Sequence, residues 1–156
     1  MEASILLEKK KEAIKAYNEF SKAVKAFLAE KLNENNNKPI VFDFYNTTKD
    51  LIAKYNPTLD KEELEEALDD FWTQNSYTTY YTDGQLNSYI CSIDKIEVIS
   101  LGEKCGNIKV TLTDIEWRDE FISDILTLGE REVWDALVYY LSELENDVKE
   151  WSKLKE

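Results

Sequence analysis

The stretch Tyr77-Thr-Thr-Tyr-Tyr-Thr82-Asp83-Gly84-Gln85-Leu-Asn-Ser-Tyr-Ile90 decides the fold class, because the hydrophobic period changes as the chain enters it. Before Gln74 the apolar residues recur in steps of three and four, as on a helix; from Tyr77 they alternate with polar ones, as on a strand. Asp83-Gly84 between two such runs is the signature of a hairpin closed by a two-residue type I′ turn. In that register Tyr81 faces Leu86 and Tyr77 faces Ile90, while Tyr80 pairs with Asn87 and Thr78 with Tyr89. Further strands are expected around Ile93–Leu101 and Ile108–Thr113, joined by a loop holding Gly102 and Gly106. Together they make a three- or four-stranded antiparallel meander.

Helices are expected on both sides of this sheet. Upstream, Ala13, Tyr17, Phe20, Val24 and Phe27 form a helical stripe, widened by Ile14 and Leu28, in a helix from about Ser4 to Leu32. The polar run Asn33-Glu-Asn-Asn-Asn-Lys-Pro39 stops it. Residues 40–56 carry two signals. Ile40–Tyr45 has a strand-like composition, but Val41, Phe44, Leu51, Ile52 and Tyr55 share one helical face behind Pro39, and the pattern favours a helix. Asp60 with Glu63 makes a capping box, and Leu59 with Leu64 a hydrophobic staple, for a helix that buries Leu64, Ala67, Leu68, Phe71 and Trp72. Downstream, Thr113-Asp-Ile-Glu116 and Thr127-Leu-Gly-Glu130 read as capping boxes. The first opens a helix with Ile115, Phe121, Ile122 and Ile125 inward. The second opens a long one in which Trp134, Leu137, Leu141, Leu144, Val148 and Trp151 keep three-four spacing, placed to pack along the first helix.

The expectation is therefore an α+β fold, with long N- and C-terminal helices and two or three shorter ones around a small antiparallel sheet. At 156 residues, with 43% apolar and 12% aromatic content, four glycines and two prolines, the chain reads as one domain over 1–156 that needs no disulfide or metal. No apolar run suits a signal peptide or a membrane span, so a cytoplasmic location with Cys91 and Cys105 reduced is expected.

Catalytic signatures are missing. The chain has no histidine, which removes the commonest general base and the usual nucleophile-activating partner. It has no phosphate-cradling glycine loop, no calcium loop and no metal-ligand spacing. With 32 acids, carboxylate pairs carry no specificity for glycoside hydrolysis. Cys105 beside Lys104 has a neighbour that lowers a thiol pKa, yet a structural thiol explains it as well. The reading is not an enzyme, with no cofactor, catalytic residue or metal ligand.

What stands out is charge. The net charge is −13, but residues 1–38 hold eight lysines against six glutamates. The acidity sits in 57–75, with seven acids and one lysine, and in 114–156, with thirteen acids and five basic residues. Such a surface repels nucleic acid and anionic membranes and attracts basic proteins. On helices, Glu62, Glu66 and Asp70 form one carboxylate row and Glu116, Glu120 and Asp124 another, with Glu63, Asp69 and Asp119 beside them. Each presents charge at a density comparable to duplex phosphates. Tyr80 and Tyr89 offer aromatic anchors.

These eleven residues are the candidate contact for a basic partner, such as a nuclease or another nucleic-acid-binding enzyme, bound by a monomer or homodimer that itself touches no nucleic acid. Size and charge match small acidic inhibitors, phage anti-CRISPR and anti-restriction proteins among them, and the richness in Asn, Lys, Ile and Tyr suits a phage or mobile element. The alternatives are a toxin-immunity protein or adaptor that binds through aromatic shape complementarity, self-association along the last helix, and acids that are only a solvated exterior offset by the first helix's lysines.

Overall fold

The computed structural model describes residues 3–75, 78–102 and 106–154. Its organising element is β3 (Ser88–Ser100), a strand of 13 residues that serves three partners. On one side it pairs antiparallel with β4 (Asn107–Asp114). Its other side is shared end to end: β2 (Thr78–Thr82) pairs with residues 88–92, and β1 (Ile40–Asp43) with residues 95–98. Asp94, at the handover, is skipped by the β4 register, which passes from Ile93↔Leu112 to Lys95↔Thr111. That is a β-bulge, and it bends the strand where one partner gives way to the next. β5 (Glu120–Asp124) adds to β4. The sheet thus has five strands among the described residues, and the fold is α+β.

One face of the sheet is apolar by alternation. Ile93, Ile96 and Val98 of β3 and Ile108, Val110 and Leu112 of β4 are buried, while Lys95 and Lys109 point to solvent. Over the apolar face lie the second half of α1 (Ala3–Glu34), contributing Val24, Leu28 and Leu32, and the start of α5 (Glu130–Ser142), contributing Val133, Trp134 and Leu137. A second core is purely helical. It joins Ile52 of α2 (Phe44–Tyr55), Leu68, Phe71 and Trp72 of α3 (Lys61–Asn75), Tyr139 of α5, and Leu144, Val148 and Trp151 of α6 (Leu144–Leu154). Tyr140 packs against both cores, stacking on Phe44 with ring centroids 4.7 Å apart.

Several expectations need correction. Residues 40–56 are not one helix: Ile40–Asp43 is a strand, and the Asp43 carboxylate then caps α2 by accepting from the Asn46 amide at 2.9 Å. Both signals in the segment were real, one after the other. The 77–90 hairpin exists, but its loop has five residues rather than two. Thr82 pairs with Ser88 and Tyr80 with Ile90, a register shift of three. Asp83 causes it, its carboxylate accepting from the Gln85 and Asn87 amides while Leu86 takes a positive φ of 67°. Tyr77 lies outside the described residues.

The helix expected from Thr113 does not form. Thr113 belongs to β4, where its hydroxyl donates to Asp94 instead of capping. The Asp114 carboxylate accepts from the Glu116 amide, Arg118 turns the chain at φ 66°, and Glu120–Asp124 returns as a strand whose alternation the three-four reading masked.

The Thr127–Glu130 capping box is also replaced: Gly129 is the N-cap of α5, without a side-chain bond. A four-residue helix, α4 (Ile125–Leu128), precedes it. Glu130 turns outward as a clamp. It accepts from Ser21 Oγ at 2.6 Å and Trp134 Nε1 at 2.7 Å, and it pairs with Lys25 at 3.0 Å. Burial opposes its ionisation, but these three donors hold its carboxyl below the usual range. The long terminal helix breaks at Glu143, so only α5 packs along α1, while α6 turns onto α2 and α3. Of the expected seam, Trp134, Leu137, Leu144, Val148 and Trp151 are buried in the two cores, while Leu141 is exposed.

The Asp60 capping box forms as expected, with Glu63 N–H to Asp60 at 2.8 Å and Asp60 N–H to Glu63 at 3.2 Å, and Leu59 and Leu64 both pack against the helical core. Replacing Leu144, fully buried between α2, α3 and α6, by Ala is expected to cost about 2–5 kcal/mol in denaturant unfolding. Asp60→Ala, which removes only the cap, is expected to cost about 1 kcal/mol.

Candidate functional site

Helix α3 sorts its acids onto two flanks. On the flank facing α2, Glu65 accepts from Tyr45 Oη at 2.7 Å and from Lys49 Nζ at 2.6 Å. The bonds from Lys49 and Tyr45 hold its carboxyl below the usual range, and burial together with the bond to Glu65 pushes the Tyr45 hydroxyl up to about 12. Asp69 pairs with Arg118 from the turn after β4. The outward flank is different. Glu62, Glu63, Glu66 and Asp70 are exposed, and among the described residues no ion pair reaches Glu62 or Glu66. Among the described residues the lysines of α1 pair with Glu12, Glu34 and Glu130, and none of them pairs with Glu62 or Glu66.

The second acidic band lies elsewhere than on a helix. Glu116 and Asp119 occupy the turn after β4, and Glu120 and Asp124 share the open face of β5 with Ile122 between them. Their spacing is that of alternate strand residues, about 6–7 Å, rather than a helical row. The Arg118–Asp69 pair fastens this turn to α3.

Between α3, the hairpin and the turn lies a groove of about 880 Å³, lined by Thr73, Tyr80, Ile90, Glu116 and Trp117 among others. Tyr80 and Trp117 are 69% and 68% exposed. Tyr89 also borders the groove, but its ring packs on Phe121 at 4.9 Å and its hydroxyl donates to Asp83 at 3.2 Å. Tyr80 is therefore the open anchor of the two expected tyrosines. Trp117 is the residue that sequence reasoning missed, since it fell inside the segment read as a helix.

Asp94 was missed too. Its carboxylate, in the β3 bulge, accepts from Ser92 at 3.3 Å and from Thr113, and burial raises its pKa, with Glu120 and Asp43 adding to the effect. Cys91 is buried, and its thiol is pushed up to about 11, chiefly by burial, which leaves it protonated and poorly nucleophilic at neutral pH. Cys105 and Lys104 lie outside the described residues. No cluster of three metal-ligating side chains occurs among the described residues, and no described helix is long and apolar enough to cross a membrane.

No protein-family model, curated protein or solved structure matches the chain.

Because Asp94 binds its proton more tightly folded than unfolded, its ionisation costs stability as pH rises from the ordinary carboxylate range through its raised folded value. Asp94→Asn is expected to remove that slope. Its unfolding free energy, measured against wild type from about pH 4 upward, should gain with pH.

Proposed function

We propose that this protein is a non-enzymatic inhibitor that binds a basic nucleic-acid-processing protein and occupies the cationic surface its substrate would use. The observation that carries the reading is the outward flank of α3, where Glu62, Glu63 and Glu66 are exposed and the ion pairs of the α1 lysines go to other acids among the described residues. The turn that Arg118 ties to Asp69 of α3, and the edge strand after it, add the exposed Glu116, Asp119, Glu120 and Asp124 to the proposed contact. Carboxylates about 6 Å apart on both elements approach the charge spacing of a nucleic-acid strand. Association steered by such a surface is fast and weakens as salt rises. A phage or mobile-element inhibitor of a CRISPR or restriction nuclease is the kind of protein the reading describes.

The exposed rings of Tyr80 and Trp117 favour a second reading, in which a toxin or adaptor partner is held by shape with the acids contributing only steering. The partner is first obtained by capture from the native host. Under the charge reading, Glu62→Lys with Glu66→Lys weakens the captured complex by roughly tenfold or more and flattens its salt dependence, while the circular dichroism spectrum is unchanged. Under the anchor reading, Tyr80→Ala or Trp117→Ala costs more than the double charge reversal, by about 2 kcal/mol or more. Binding by the double reversal that equals wild type at every salt concentration removes charge mimicry.

A further inference from the structure

Among the described residues, nothing covers the first half of α1. Residues 3–16 are exposed without exception, and the helix first gains partial cover at Tyr17, under the Arg131 guanidinium 5.9 Å from its ring. A free helix of this length is marginal in water, and this one carries apolar side chains into solvent. Leu6 is 57% and Leu7 53% exposed, with Ile5 and Ile14 also open.

These residues are not scattered. Leu6, Ala13, Tyr17, Phe20, Val24 and Phe27 are separated by seven, four, three, four and three residues, so they lie on one side of the helix. The stripe that α5 covers farther along continues uncovered over the arm. Beside its covered half, between α1 and α5, runs an apolar slot of about 230 Å³ lined by Phe20, Ala23, Phe27, Val138 and Leu141 among others. Val138 and Leu141 are themselves exposed.

We infer that two copies of this chain associate by exchanging these arms, the N-terminal half of α1 in each lying along the α1–α5 slot of the other. A two-fold axis passing near Tyr17 maps arm onto slot, because the arm leaves that residue in one direction and the slot in the opposite one. Such an interface is reciprocal and closes at the dimer. Leu6 and Ala13 of one arm then cover the partner's slot, and the apolar stripe is buried along its whole length.

Charge favours a second copy as the occupant. The arm holds Lys9, Lys10, Lys11 and Lys15 against Glu8 and Glu12, in a chain that is otherwise strongly acidic. The α5 wall of the slot is flanked by exposed Asp135, which pairs with Arg131 at 4.0 Å, and by exposed Glu143 directly after the helix. On the α1 wall Lys25 is taken up by Glu130, and Lys22 stands exposed. The association uses neither the outward flank of α3 nor the groove, so it stands or falls apart from the inhibitor reading.

The test is sedimentation equilibrium of the full chain over a wide concentration range, with light scattering as a check on mass. The wild type is expected to reach dimer mass. Leu6→Asp in the arm and Leu141→Asp in the slot, each with an unchanged circular dichroism spectrum, are each expected to weaken the dimer by roughly tenfold or more. Mixing the two variants should restore part of the association, because the Leu141→Asp arm still meets an intact slot on the Leu6→Asp chain. A wild type that stays monomeric at every concentration overturns the inference. So does a dimer that neither substitution weakens, or one weakened by Leu6→Asp alone, which would mean that arms pair with arms. Co-flotation of a monomeric wild type with anionic phospholipid vesicles would assign the stripe to a lipid surface and overturn it as well.

Discussion

The structure depends on β3 satisfying three neighbours at once. A strand with one partner on each side needs a single register; this one must change partner halfway along one side while holding β4 on the other. The bulge at Asp94 makes the change possible, since an unpaired residue lets the two halves of the strand bend apart. A polar side chain placed at that kink needs local donors, and Ser92 and Thr113 supply them. Asp43 and Glu120 are close enough for their charge to be felt at Asp94. The crowding of carboxylates at this part of the sheet follows from the backbone geometry, whatever use the protein makes of it.

Helix α5 has a comparable role between the two cores. Its first turns bury Val133 and Trp134 against the sheet, and its last ones bury Tyr139 among α2, α3 and α6. Glu130 fixes one end of this helix to α1 through Ser21 and Lys25, with Trp134 of α5 itself as a third donor. The break at Glu143 frees α6 to turn towards α2, so the helical core closes on itself instead of extending as a rod. The position of α3 follows, and with it the direction in which its outer acids point.

Much of this was legible in the residues. The capping box at Asp60, the stripe on α1, the polar stop at Asn33 and the existence of a hairpin at 78–90 all rest on local chemistry that tertiary contacts did not override. The failure at 113–125 has a different cause. Thr113 and Glu116 match a capping box, and Ile115, Phe121, Ile122 and Ile125 mimic a helical face, but the strand pairing of Thr113 with Ser92 and of Phe121 with Leu112 outweighs both. Short segments with competing periods are decided by partners distant in sequence. The acidic flank of α3 could be placed beforehand because its helix was well signed. The groove could not, since Trp117 and Tyr80 come together only through the misread turn.

The outer side of β5 has one further consequence. Among the described residues the strand pairs with β4 alone, which leaves a row of backbone donors and acceptors that another extended chain could continue. Ile122, 65% exposed, would welcome such an addition. Glu120 and Asp124, two residues to either side, work against it, because a like strand laid alongside would bring carboxylate against carboxylate. The same side chains that give this edge its negative potential thereby act as gatekeepers against sheet-to-sheet aggregation.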